Sequence, residues 1–354
     1  MDTTLDYLKQ ILMLPTVSGF EHQSTERIAE LSLEFSDNFF DGYKVLPSGG
    51  ILFERKCGRT DAKKIVLDAH IDTIGFCVSE ICENGFVKVI NIGGIDAYIL
   101  PATPVTIHGK AEIQGVFTSV PPHLSGFGKE KPKLSDFYVD TGLSEEKVKE
   151  ICPIGTPVTF AANPVMLQNN TIACCGLDDK ACVCAAMLAC KMLTECKNEL
   201  KCDVYVHLSA GEEKTMNGAK TLPYVIDADA CIVLDVNFAK AEGIEDYSAY
   251  SAGKGAGISY SSTTKRELTE FLAETAQKYS IPLQKMVEMR STGTNATQIH
   301  RNGIPCAVLS VPLKNMHTTC ECVSMNDIDL CAQLLSKVIY DFDLYKYAGI
   351  INLK

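Results

Sequence analysis

Four short, β-rich apolar runs each end on side chains that bind metals or move protons, and this coincidence restricts the folds open to the chain. Ile65–Leu67 leads into Asp68, His70 and Asp72, and Val204–Leu208 leads into Gly211, Glu212 and Glu213. Cys231–Leu234 leads to Asp235, and Ala307–Val311 leads through Pro312 to His317. Open α/β sheets place their ligand crevice at the carboxyl ends of parallel strands, so the four runs point into one pocket. A fifth element joins them. Asp178 precedes Cys182, Val183, Ala186, Met187, Cys190 and Leu193, an apolar face at helical spacing, and a carboxylate entering a helix N-terminus is favoured by the dipole.

A chain of 354 residues exceeds the usual size of one core. Residues 4–14 and 21–34 are predicted as helices around a turn at Pro15 and Ser18-Gly19. From residue 76 to 160 the texture changes to short alternating strands broken by Gly93-Gly94, Pro101, Pro104, Gly109 and Pro121-Pro122. Asn84-Gly85 predicts a type I′ hairpin there. Such a stretch predicts a small β-barrel-like module inserted into an α/β domain. Beyond Asn169, helices are expected over 179–194, 215–222, 265–279, 294–302 and 326–343, with strands over 203–209, 230–235, 284–289 and 305–311. That rhythm predicts an α/β fold with a mixed, mostly parallel sheet flanked by helices.

The net charge of −11 disfavours nucleic acid and membranes as partners. The 16 cysteines are scattered through long apolar segments, where they read as small core residues and not as a disulfide framework. The opening MDTTLDYLKQ lacks a basic region followed by an apolar core, and no run has the length of a bilayer span. A cytoplasmic setting is expected.

His70, Asp178, Glu212, Glu213, Asp235 and His317 supply two imidazoles and four carboxylates. Divalent ions of hard or borderline character need such donors, and a bridging carboxylate can hold two ions about 3.5–4 Å apart. The set suits a dinuclear hydrolytic site with one carboxylate left over as general base, and zinc, cobalt and manganese all accept such ligands. Taken singly, His70 or Asp235 fits a structural role and Glu212-Glu213 fits a solvated turn; their force is joint. Neighbouring side chains on an extended segment point apart, so only one of Glu212 and Glu213 is expected to bind metal, and spacing leaves open which. His22, His108, His123, His207 and His300 lack such company and read as structural or exposed.

Five ordered motifs carry a further reading: Asp68-Ala-His70-Ile-Asp72-Thr-Ile-Gly75-Phe, Gly176-Leu-Asp178-Asp179-Lys180, Glu212-Glu213 with Asn217-Gly218-Ala219, Leu234-Asp235-Val236, and Met316-His317-Thr-Thr-Cys-Glu321. With them the chain closely resembles the dinuclear metallo-aminopeptidases that include the tetrahedral (TET), deblocking and glutamyl aminopeptidases. The likeness extends through the insert, with Gly93-Gly94, Pro122-His123-Leu124 and Asp140-Thr-Gly142. The resemblance implies removal of amino-terminal residues from short peptides. It implies two divalent ions per chain, zinc foremost with cobalt or manganese as alternatives. His70 and Asp235 would complete one metal site, Glu213 and His317 the other, and Asp178 would bridge them. Glu212 would be the general base acting on the attacking water, and Asp72 would orient the histidine from behind. It further implies a catalytic domain of residues 1–73 and 164–354, and an inserted dimerisation domain of 74–163 whose dimers build a hollow tetrahedral dodecamer.

Several positions depart from the family pattern. Lys180 stands where arginine is common, exchanging a planar fork for a point charge, and Cys182 where glycine is common. Lys214-Thr215 replaces Val-Gly, Asn295 in Gly293-Thr294-Asn295-Ala296 replaces Asp, and Thr318-Thr319 replaces Ser-Pro. Lys180, Lys214, Arg290 and Lys314 could draw acidic side chains, and Cys175, Cys182 and Cys320 lie near expected site residues, where they read as packing. Two other functions stay open. One is a non-catalytic relative acting in binding or assembly; the other is a glycoside hydrolase, which needs two carboxylates about 5–9.5 Å apart and no paired histidines.

Overall fold

The computed structural model describes residues 3–121, 123, 131–244, 248–288, 294–299 and 303–346. The chain opens with helices α1 (Thr3–Leu12) and α2 (Thr25–Phe35) and strands β1 (Gly42–Val45), β2 (Ile51–Arg55) and β3 (Lys63–His70). A β-rich stretch follows: β4 (Gly75–Ile81), β5 (Val87–Ile92), β6 (Pro104–His108), β7 (Glu112–Phe117), β8 (Val139–Asp140), helix α3 (Glu145–Ile151) and β9 (Pro157–Phe160). Next come β10 (Val165–Leu167), β11 (Thr171–Cys174), α4 (Leu177–Met192), β12 (Cys202–Ser209), α5 (Asn217–Val225) and β13 (Ala230–Phe238). The last described elements are β14 (Gly257–Tyr260), α6 (Arg266–Lys278), β15 (Gln284–Val287), α7 (Thr294–Ile299), β16 (Cys306–Lys314), β17 (Glu321–Ser324) and α8 (Met325–Tyr340).

An 11-stranded mixed sheet runs β1-β2-β12-β3-β13-β16-β17-β11-β10, with β14 and β15 attached through β16. Its centre is parallel, because the four near-continuous apolar runs became β12, β3, β13 and β16, side by side. Every residue of β12 is buried, and β13 and β16 are exposed only at their last residue. Such strands need helices on both faces. Helix α4 supplies one cover and is itself enclosed by α1 and α8, so Leu177 through Cys190 are all buried. The apolar face expected there is buried, and so are the other sides of the helix, Asp178, Asp179 and Lys180 included.

The β-rich stretch closes into a six-stranded antiparallel barrel, β4-β5-β8-β7-β6-β9. It has a core of its own, in which Phe76 meets Phe117 and Phe160 edge-on at 5.0 and 5.3 Å. The Asn84-Gly85 hairpin joins β4 to β5, but its turn is wider than a two-residue type I′ loop. Cys82 and Phe86 close it around Glu83-Asn84-Gly85, and Asn84 and Gly85 both take positive φ, +61° and +79°. Other expected boundaries shift by a few residues. Pro122, Leu124, Arg290, Gly293 and residues 300–302 lie outside the described residues. Among the described residues no helix is long and apolar enough to cross a membrane.

Candidate active site and metal centre

Register brings the strand ends to one level. His70, the last residue of β3, pairs with Ser209, so the turn carrying Glu212 and Glu213 starts beside it. On the other flank Val233 pairs with Asp68, and continuing that register by two residues sets Asp235 beside His70. His317 enters from the turn between β16 and β17 with φ +59°, and Asp178 from the first turn of α4. Asp178 and Asp179 have non-helical backbone angles and are joined by a cis peptide.

The side chains meet in two triplets that share one carboxylate. His70, Asp178 and Asp235 form the first and Asp178, Glu213 and His317 the second, each with its donor atoms within 4.8 Å of one another. One oxygen of Asp178 lies 3.2 Å from His70 Nε2 and the other 3.5 Å from His317 Nε2. Glu213 Oε2 lies 3.4 Å from His317 Nε2. Glu212 belongs to neither triplet, and its Oε2 is 4.0 Å from His70 Nε2. It sits in a turn and not on an extended segment.

The outer nitrogens decide which atoms face inward. His70 Nδ1 donates to the carbonyl of Asp72 at 2.9 Å, and His317 Nδ1 donates to the carbonyl of Gly94 at 2.9 Å. A carbonyl only accepts, so each Nδ1 carries a proton and each Nε2 faces the triplets. The Asp72 carboxylate, 3.5 Å from His70 Nδ1, spends its oxygens on the turn: it accepts from the Glu212 N–H at 3.0 Å and the Glu213 N–H at 3.1 Å. Gly94 belongs to the loop leaving β5, so the barrel orients one histidine of the site.

Charge balance tests whether divalent cations fit. Burial lifts the Asp235 carboxyl well above its ordinary range, with Asp179, Glu212 and Asp178 adding repulsion. Burial likewise raises Asp179, and raises Glu213 to about 7 against the pull of His317. Burial opposes charge on the histidines, yet hydrogen bonds to Asp178 and its carboxylate neighbours hold His70 well above its usual range and His317 up to about 11. Asp178 is the exception: burial works against its ionised form, but the two histidines prevail and hold it below the carboxylate range. A buried set with more carboxylates than imidazoles, its two triplets sharing Asp178, would carry surplus negative charge once its carboxylates are ionised and its imidazoles neutral, and that is the charge dications neutralise. The donor set fits two such ions.

Glu321 and His108 carry no signal in the sequence that marks them as contributors, and Lys180, expected to draw acidic side chains, joins them here. Glu321, buried at the start of β17, accepts from the N–H of Asp178 at 3.2 Å and from that of His317 at 2.9 Å. It sits in the Met316–Glu321 motif, but without a role until the backbone groups it holds are known. Lys180 is buried, donates to the Leu14 carbonyl at 2.9 Å, and has its pKa lowered to about 8 by burial. It lines a cavity of about 170 Å³ beside Asp178, Glu213 and Glu321. His108, read as structural or exposed, lines that cavity from the barrel with Thr106 and Gln114.

The other residues singled out in the sequence scatter. Lys214, Lys314 and Cys320 are exposed, and Cys182 is buried in α4. Cys175 lines the cavity. Asn295 lies deeper, donating to Asp68 at 2.7 Å and Ser209 at 3.0 Å, and His207 Nδ1 meets the other Asp68 oxygen at 2.6 Å. His22 and His123 are exposed, and His300 is outside the described residues.

Known proteins share the sequence pattern and the fold. The M42 glutamyl aminopeptidase family profile matches residues 49–334. A lysyl aminopeptidase of Pyrococcus furiosus is 32% identical over 342 residues, covering 94% of this chain and 96% of its own. A TET aminopeptidase from a marine sediment archaeon, Thaumarchaeota archaeon SCGC AB-539-E09, superposes with TM-score 0.88 at 26% identity, covering 97% of each chain. The TET1 peptidase of Pyrococcus horikoshii, which can assemble into a tetrahedron or a large octahedral shell, superposes with TM-score 0.83 at 26% identity over 96% of this chain and 99% of that one.

Proposed function

The chain belongs to the M42 glutamyl aminopeptidase family of metallo-aminopeptidases, and from that premise we propose that it removes residues one at a time from the free amino termini of short peptides. The observation that carries this reading is the pair of triplets sharing Asp178, with Glu212 beside them and in neither. His70, Asp178 and Asp235 would hold one divalent ion and Asp178, Glu213 and His317 the second, zinc first, with cobalt or manganese also suited to the donors. When bound, such ions polarise a carbonyl and acidify water.

The chain's own groups do the rest. Asp72 fixes the turn through two N–H groups, which sets the Glu212 carboxylate over the first triplet. There Glu212 takes a proton from the water that attacks the scissile carbonyl and passes it to the departing nitrogen as the C–N bond breaks. Glu321 holds the backbones of Asp178 and His317 while this happens. The cavity of about 170 Å³ beside the triplets receives the amino-terminal residue.

Exchange of Glu212 for Gln tests the assignment. Glu212→Gln keeps both ions, read by elemental analysis, and lowers turnover about 10²- to 10⁴-fold. A Gln variant with normal turnover contradicts it.

Assembly follows from the same reading. Residues 1–73 and 164–354 would be the catalytic domain and 74–163 the dimerisation domain, whose barrel exposes Ile90, Tyr98 and Val116. Dimers through that surface would build a dodecamer, and light scattering that gives a monomeric mass at working concentration contradicts it. None of the 16 cysteines is in a disulfide, which suits the reducing cytoplasm.

A further inference from the structure

Sequence periodicity puts Glu21 at the start of a helix, yet its side chain is used elsewhere. α2 begins only at Thr25, and Glu21 opens a short 3₁₀ turn, Glu21–Gln23. Its carboxylate is buried, with 3% of the residue exposed. One oxygen, Oε1, accepts from the N–H of Gly19 and the N–H of Gly211, each at 2.9 Å. These partners are far apart in sequence, and the second immediately precedes Glu212-Glu213.

The surroundings give that contact its meaning. The segment before Glu21 lies against the end of the site strand: Val17 bridges Thr73, the Ser18 N–H donates to the Thr73 carbonyl at 3.1 Å, and the Thr73 N–H donates to the Thr16 carbonyl at 2.8 Å. Across from it, Asp72 accepts from the N–H groups of Glu212 and Glu213. Three consecutive N–H groups, 211 to 213, therefore end on two buried carboxylates, Glu21 and Asp72. Gly211 is also the knot of the turn, since its carbonyl accepts from the N–H groups of Thr215 and Met216. Burying a carboxylate is costly, and an apolar side chain would fill the same space more cheaply; what the carboxylate adds is an acceptor at a fixed point.

We propose that Glu21 is a positioning residue of the active site: by holding Gly211 it sets where Glu212 and Glu213 stand, without itself touching substrate. Its effect on turnover rests on the aminopeptidase reading; its effect on the turn does not. What matters is where the acceptor oxygen sits. Glu21→Gln keeps a carbonyl oxygen at the same reach, whereas Glu21→Asp keeps the charge and draws the oxygen back by one methylene.

Kinetics on a short peptide and hydrogen exchange of the segment 209–216, read by mass spectrometry on the metal-loaded protein, separate the outcomes. Glu21→Gln should match wild type in kcat and in exchange. Glu21→Asp should lose kcat about ten- to a hundredfold with KM little changed, and its 209–216 segment should exchange faster. A Gln variant that is inactive or unfolded overturns the proposal, because charge would then be what counts; so does an Asp variant with wild-type kcat and exchange. Should wild type cleave no peptide, the aminopeptidase reading fails, and the exchange comparison still decides the role of Glu21.

Discussion

Asp178 turns one oxygen to each of two imidazoles, and its own N–H is held by Glu321. The second hydrogen bond of Glu321 goes to the N–H of His317, so one buried carboxylate fixes the shared donor and a donor of the second triplet together. Outer partners of this kind typically change metal affinity 10- to 100-fold. Glu321→Ala is therefore expected to weaken the more labile ion about 10- to 100-fold, measured by chelator competition, with the fold retained by circular dichroism. Unchanged affinity would contradict the role. At this scale the sequence shows part of the design. His70 and Asp235 are legible because they end apolar strands, and Asp178 because it opens a helix. Glu321 and Glu21 are not, because what distinguishes them is a backbone N–H distant along the chain.

Strands are the most legible elements, for a physical reason. β3, β12, β13 and β16 are covered on both faces, so their apolar runs are almost unbroken and stop where the pocket begins. Helix α4 shows its apolar face in the sequence but not the burial of its other sides, which comes from α1 and α8 covering what a surface helix would show to water. The β4–β5 turn carries the right residues for positive φ, but the loop length depends on where Cys82 and Phe86 pair. The loop after β5 yields a test at this scale. A Cβ on Gly94 would come 3.1 Å from His317 Nδ1, tight enough that the ring has to give by a few tenths of an ångström. Gly94→Ala is expected to displace the imidazole and weaken binding at the second triplet about tenfold, with the barrel intact. Wild-type metal affinity, measured by titration with thermal unfolding as the fold control, would show that the ring does not depend on this loop.

At the scale of the molecule, a barrel with its own core is inserted between β3 and β10, and it lends the site a carbonyl at Gly94 and a cavity wall at His108. The change in texture of the sequence reveals the insert, because short strands with dense turn residues cannot continue a βα rhythm. Its contact with the side chains of the candidate site is not legible, since it arises from how barrel and sheet pack. The reaction proposed for this molecule is stepwise hydrolysis from a free amino terminus at a two-ion site. Its most direct test is mass-spectrometric product sequencing from one peptide with a free amino terminus and the same peptide acetylated, before and after zinc, cobalt or manganese loading. A ladder of single-residue losses from the free peptide alone, present only with metal, is the predicted result. Internal cleavage, trimming of the acetylated peptide, or no release by a folded, metal-loaded protein would contradict it.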